Sequence, residues 1–226
     1  MHIGLIGGIG PAATEFYYNR MAKAHDEAGA EMDLTIVHAS VRELLRNVLA
    51  DERDAQAQVY CRYVQRLKDA GAEAAAVTSL GGHFCIKELE AISPLPILNA
   101  LPVLEAYFHK HQIGRIGLLG TSAIMRSNLY GAVTSVEIVA PPGDQLQATH
   151  DNYVAMAFAA KASDAQRAFF FEAGKAMCED QGADAVLLAG TDLFLAFDGY
   201  ECGFPVLDGA EIHIDALVNA SLGEDT

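Results

Sequence analysis

Apolar positions along the chain follow two rhythms. Short continuous apolar runs closed by small residues predict strands at 2–7, 34–39, 74–79, 116–120, 136–140 and 185–189, with shorter pieces at 96–98 and 205–207. Between them, apolar residues three and four apart predict helices over 11–28, 52–70, 83–91, 100–111, 122–132, 145–159, 164–181 and 210–222. Strand and helix alternating in this way predict an α/β fold, with parallel sheets covered by helices on both faces.

The rhythm restarts half-way. Ile3-Gly4-Leu5-Ile6-Gly7 returns as Ile116-Gly117-Leu118-Leu119-Gly120, and Asp69-Ala70-Gly71-Ala72-Glu73 returns as Asp180-Gln181-Gly182-Ala183-Asp184. A break after Pro94 and Pro96 divides the chain into residues 1–98 and 99–205, with 206–226 expected to return to the first domain. The fold class expected is two pseudo-symmetric doubly wound parallel-sheet domains with an interdomain cleft, and ligands in such sheets sit beyond the carboxyl ends of the strands.

Composition narrows the partners. Thirty acidic against fifteen basic residues give a formal charge of −15, which repels a phosphate backbone and argues against nucleic acid. No apolar run reaches the roughly 18–20 residues of a membrane helix, and the N-terminus enters a strand without an export pattern. Cys61, Cys85, Cys178 and Cys202 lie far apart with no CxxC pair, which signals neither zinc nor a disulfide framework and suits a reducing cytoplasm.

Candidate chemistry gathers at four strand ends. Gly8 and Gly10 precede a helix that Pro11 suits as an opening residue, so the loop reads as an anion cradle, a plain turn, or a relaxed dinucleotide fingerprint ending at Ala13. The fingerprint lacks its acidic partner, because the second strand ends His38-Ala39-Ser40. Thr121 and Ser122 follow the fourth strand and serve either a carboxylate or the helix they cap. Counted from Gly71 and Gly182, Ser79 and Gly190 hold equivalent places where a strand turns into a helix, followed by His83 in one half and by Thr191 and Asp192 in the other.

These features resemble the aspartate/glutamate racemase family over essentially the whole chain. The resemblance rests on the Gly7–Thr14 opening, with one extra small residue, and on Leu118-Leu119-Gly120-Thr121 followed by Met125 and Tyr130. It is completed by the closing Pro205-Val206-Leu207-Asp208 and Ile212-His213. It implies a small carboxylate or acidic amino acid as ligand, no pyridoxal phosphate or other cofactor, no metal, and two cysteines facing each other across the cleft. Here the first cysteine motif reads Ser79-Leu80-Gly81-Gly82-His83 and the second Ala189-Gly190-Thr191-Asp192, so both thiols are missing.

Two thiols suit racemisation because a cysteine pKa near 8.5 lets one be thiolate while its partner stays protonated. A serine hydroxyl needs an activating base, and His83 is the one nearby in sequence. Gly190 has no side chain. Three readings follow: one-sided proton chemistry by Ser79 and His83, as in a decarboxylase, lyase or hydrolase; a binding protein without chemistry; or a racemase that recruits Asp192 and His83. Arg42, after the second strand, and Lys161, which matches a lysine of some family members, are the cations to place against a ligand carboxylate. Cys85 and Cys202 fall outside the equivalent positions and read as buried filler, with a displaced catalytic role as the alternative. His109 and His111 point to different sides of a helix, and His213 reads as packing. The Phe169-Phe170-Phe171 run suits a contact in a homodimer or, more simply, a buried helix core.

Overall fold

The computed structural model describes residues 1–223. Its elements are β1 (Ile3–Gly7), α1 (Pro11–Glu27), β2 (Leu34–His38), α2 (Val41–Leu49), α3 (Arg53–Asp69) and β3 (Ala74–Val77). A 3-10 helix (Leu80–Cys85), α4 (Ile86–Ile92) and α5 (Ala100–Lys110) follow. The second half runs β4 (Arg115–Leu119), α6 (Ser122–Arg126), a 3-10 turn (Leu129–Gly131), β5 (Glu137–Val139), α7 (Asp144–Ala159), α8 (Asp164–Glu179), β6 (Ala185–Leu188), α9 (Phe194–Phe197), β7 (Val206–Asp208) and α10 (Gly209–Leu222).

Every strand pair is parallel. The first sheet has the order β2-β1-β3, extended by a bridge from Ala75 to Ile97; the second has the order β5-β4-β6-β7. The two arrangements repeat one another strand for strand.

The repeated sequence motifs have structural causes. A β-carbon at Gly4 would lie 2.8 Å from Leu67 Cδ1, and one at Gly117 would lie 3.0 Å from Met177 Sδ. Glycine within each of these strands, β1 and β4, therefore lets the returning helix, α3 or α8, close onto the sheet. After that helix Gly71 and Gly182 adopt φ of +96° and +68°, a turn that favours glycine. The acid that follows then latches the start of the central strand. Glu73 Oε2 accepts from His2 N at 2.7 Å, and Asp184 Oδ2 accepts from Gly114 N and Arg115 N, each at 2.8 Å.

Two compact units result. One comprises Met1–Ala100 and the chain from His213 onward; the other is Leu101–Ile212. β7 is hydrogen-bonded to β6 in the second sheet, so residues 206–212 stay with that unit while the return to the first begins at His213. The last three residues of the expected 206–226 segment lie outside the described residues. In each half the helix after the fourth strand position belongs to the other unit: α5 from Leu101 to the second, α10 from His213 to the first.

The first core packs β1 and β3 with Phe16, Tyr17, Met21, Tyr60, Val64 and Leu67, all buried. In the second, Met156, Phe170, Met177, Val186, Leu188 and Leu193 form one cluster with Phe169 and Phe171 packed against it, so the phenylalanine run is helix core. The helix expected over 122–132 breaks after Arg126, because Asn128, Leu129 and Tyr130 all take φ near +50° to +60° and turn Leu129 inward. No helix among the described residues is long and apolar enough to cross a membrane.

Candidate functional site

Chain direction places the candidates. α8 ends beside the amino start of β4, since Asp184 bonds Gly114 and Arg115 there. Its sixteen residues span about 24 Å at 1.5 Å each, so it begins at the carboxyl edge of the sheet. α7, joining β5 to that point, must lie along the carboxyl edge, which puts Lys161 there too. By the same argument α2, bearing Arg42, lies at the carboxyl edge of the first sheet. Both cations are exposed.

The glycine loop of the first unit is bound to its own helix. Gly8 N donates to Thr14 Oγ1 at 2.8 Å, and Thr14 Oγ1 donates to Gly10 O at 3.0 Å. The Gly8 amide is thus spent internally rather than offered to an anion. Gly8 has φ +82°, and a β-carbon there would lie 2.3 Å from His38 Nδ1; the imidazole fills that side of the loop.

Ser79 caps the 3-10 helix, its hydroxyl accepting from Gly82 N at 3.2 Å. His83 is fully enclosed. Its Nδ1 bonds the Ser79 carbonyl at 2.7 Å, not the hydroxyl, and its Nε2 accepts from Ala100 N at 3.3 Å. A carbonyl can only accept and an amide can only donate, so the ring is neutral with its proton on Nδ1. Burial holds its pKa down at about 4. The serine–histidine partnership expected from sequence is replaced by a backbone clamp. His213 is likewise structural: Nδ1 accepts from Tyr17 OH at 3.0 Å and Nε2 donates to Leu98 O at 2.9 Å. Burial and the Glu88 charge push the Cys85 thiol up to about 12, leaving it an inert buried thiol.

In the second unit Thr121 Oγ1 caps α6, accepting from Ile124 N at 3.4 Å. The Ser122 amide is also occupied, donating to His150 Nδ1 at 3.2 Å, which leaves the proton of a neutral His150 on Nε2. A β-carbon at Gly120 would touch the backbone of Ala189 and Gly190 at 3.2 Å, so the ends of β4 and β6 meet here.

Gly190 itself is covered by an aromatic ring. A β-carbon at this position would lie 2.3 Å from Tyr153 Cε2 and 2.7 Å from Cζ. The phenol donates to Asp192 Oδ2 at 3.0 Å and accepts from the Asp192 backbone N–H and the Thr191 side chain. Tyr153, Thr191 and Asp192 are all buried. Burial first, then the Asp192 charge, raises the Tyr153 pKa well above the ordinary phenol range. The ring is a satisfied plug over Gly190.

Neither Tyr153 nor His150 was singled out from sequence. Their one legible trace is the spacing of three on α7, which puts both on the face that meets the strand ends. His109 and His111 are exposed, the latter stacked on Tyr107, and among the described residues no group of three or more metal-binding side chains comes together.

Residues 6–217 match the sequence profile of the Asp/Glu/hydantoin racemase family. The chain belongs to that family. Its fold agrees with solved members. A Yersinia pestis protein assigned as an Asp/Glu racemase superimposes with a TM-score of 0.84 at 24% identity, covering 98% of this chain and 100% of that one. An aspartate racemase homologue from Pyrococcus horikoshii gives 0.78 at 22% identity over 98% and 99%. A Francisella tularensis glutamate racemase in complex with D-glutamate gives 0.63 at 13% identity over 100% and 83%. At these identities the likeness bears on fold. Ser79 and Gly190, equivalent in the internal sequence repeat, are a helix cap and a seat for the Tyr153 ring.

Proposed function

We propose that the protein binds a small carboxylate or acidic amino acid at the carboxyl ends of its strands, without a cofactor, and does not exchange the ligand's α-proton by a two-thiol route. The ligand class follows from membership of the Asp/Glu/hydantoin racemase family and from relatives named for aspartate and glutamate. Lys161, exposed at the carboxyl edge of the second sheet, is the cation we assign to it, with Thr121 and His150 of the same unit as polar partners; Arg42 holds the corresponding edge of the first sheet. The loss of racemase chemistry rests on one observation: the Tyr153 ring occupies the space beside Gly190, its hydroxyl already committed to Asp192 and Thr191. One-sided chemistry at Ser79 gains no support, because His83 is turned to backbone on both nitrogens.

The test has two readouts. Both hands of aspartate and glutamate, incubated with the protein in deuterated water, should keep their α-proton signal by NMR. At least one of them, or a simple dicarboxylate, should raise the melting temperature; saturation at 100 times Kd adds about 2.7 kcal/mol. Loss of the α-proton signal would refute the non-catalytic reading. No thermal shift with any of these ligands would refute the binding reading.

A further inference from the structure

We propose that Cys178 and Cys202 form a peroxide-sensitive dithiol in the second unit that closes to an intramolecular disulfide. The two residues are remote in sequence and neither belongs to the strand-end chemistry. Both lie towards the opposite, amino side of the second sheet, where Phe204 packs on α8. A β-carbon at Gly174 would lie 2.3 Å from Phe204 Cζ, so this ring rests directly on the helix backbone. Cys178 follows Gly174 by four residues and therefore lies on the same helix face, one turn further on. Cys202 Sγ donates to Phe204 O at 3.3 Å, which fixes the second sulfur beside the same phenylalanine.

Cys178, Cys202 and Phe204 all pack against one core cluster, and both cysteines are half-buried free thiols. The Cys178 thiol is pushed up by burial and next by Cys202. The other two cysteines, Cys61 and Cys85, belong to the first unit. Oxidant has access: Cys202 lines an open cavity of about 410 Å³ with Phe197, Tyr200, Glu201, Phe204 and Val206.

The reaction balances with hydrogen peroxide as oxidant. The Cys202 thiolate attacks one peroxide oxygen, the O–O bond breaks, and a sulfenic acid forms as hydroxide leaves and takes a proton to become water. Cys178, losing its proton, attacks the sulfenic sulfur; the S–S bond forms, the S–O bond breaks and a second water departs. Two thiols are oxidised and one peroxide is reduced to two waters.

Native protein treated with peroxide, alkylated and digested without reductant should yield one cross-linked peptide pair joining Cys178 to Cys202, with the intact chain lighter by two hydrogens. Dithiothreitol should reverse it, and Cys61 should remain alkylated. A disulfide demands Cα atoms roughly 4.4–6.8 Å apart, so its formation in folded protein is a strict test of the packing. Oxidation should raise the melting temperature by several degrees, because the bond closes the chain segment from 178 to 202. Cys178→Ser and Cys202→Ser should each abolish both effects, while Cys61→Ser preserves them. The proposal is overturned if native protein accumulates sulfinic acid on Cys202 while Cys178 remains alkylatable, if the cross-link forms only in urea, or if it joins two chains.

Discussion

At the scale of single residues, the chain repeatedly pairs a glycine with a ring laid against it: His38 on Gly8, Phe204 on Gly174, Tyr153 on Gly190. The last pair lies at the end of β6. Gly190→Cys alone should be strained, since the new β-carbon would meet a ring rather than the end of a flexible chain. Overpacking of this kind costs about 1–3 kcal/mol. If Tyr153 swings away instead, the buried Asp192 carboxylate loses its phenol donor, at a similar cost. Urea unfolding should therefore show Gly190→Cys destabilised, and Gly190→Cys with Tyr153→Ala less destabilised than the sum of the two single changes. Additive effects would mean that the ring does not hold the position. Sequence alone locates Gly190 by its distance from Gly182. It gives no hint of Tyr153, which is 37 residues away and reaches the site only through the tertiary path of α7.

At the scale of elements, two buried histidines clamp the places where the chain passes between units. His83, in the 3-10 helix after β3, accepts from Ala100 at the start of α5; His213, in α10, donates to Leu98. Burial lowers the pKa of His83 to about 4, and burial together with His83 lowers that of His213 to about 3. Both folded values lie below the unfolded value of about 6.5, so in acid the unfolded chain takes up protons that the native state refuses. Stability is then complete above about pH 6.5 and declines as pH falls, by up to about 1.4 kcal/mol per pH unit for each histidine. The carboxyls of Glu105 and Asp184, lowered by their hydrogen bonds, act in the same direction but only below their unfolded values. Urea midpoints measured between pH 6.5 and 5 should isolate the histidines: a clear decline is expected, and a flat profile would contradict the neutral clamp. The main strands and long helices were legible because periodicity reports burial. α2 and α9 were not, being too short for a repeat to declare itself, and the break inside 122–132 depends on three left-handed residues that no apolar rhythm records.

At the scale of the whole molecule, the halves repeat their strand order yet trade their last helices, and this trade fixes what can fold alone. Residues 1–100 contain β1 to β3 but lack α10, whose His213 bonds Tyr17 and Leu98 and whose Ser221 bonds both His25 Nε2, at 2.8 Å, and the Met1 amino group. Ile214, Leu217 and Val218 of α10 are buried as well. Without that helix the first unit would leave His25, Tyr17 and an apolar face to water, a loss that small domains with marginal stability do not survive. A fragment of residues 1–100 should thus show no cooperative thermal transition. The same fragment joined by a flexible Gly/Ser linker to residues 209–226 should regain one, together with dispersed amide signals in NMR spectra. Cooperative folding of the short fragment would mean that α10 is an accessory and that the exchange of helices is decorative. Failure of the linked fragment would mean instead that the first unit depends on residues 101–212 for more than the covalent path they supply.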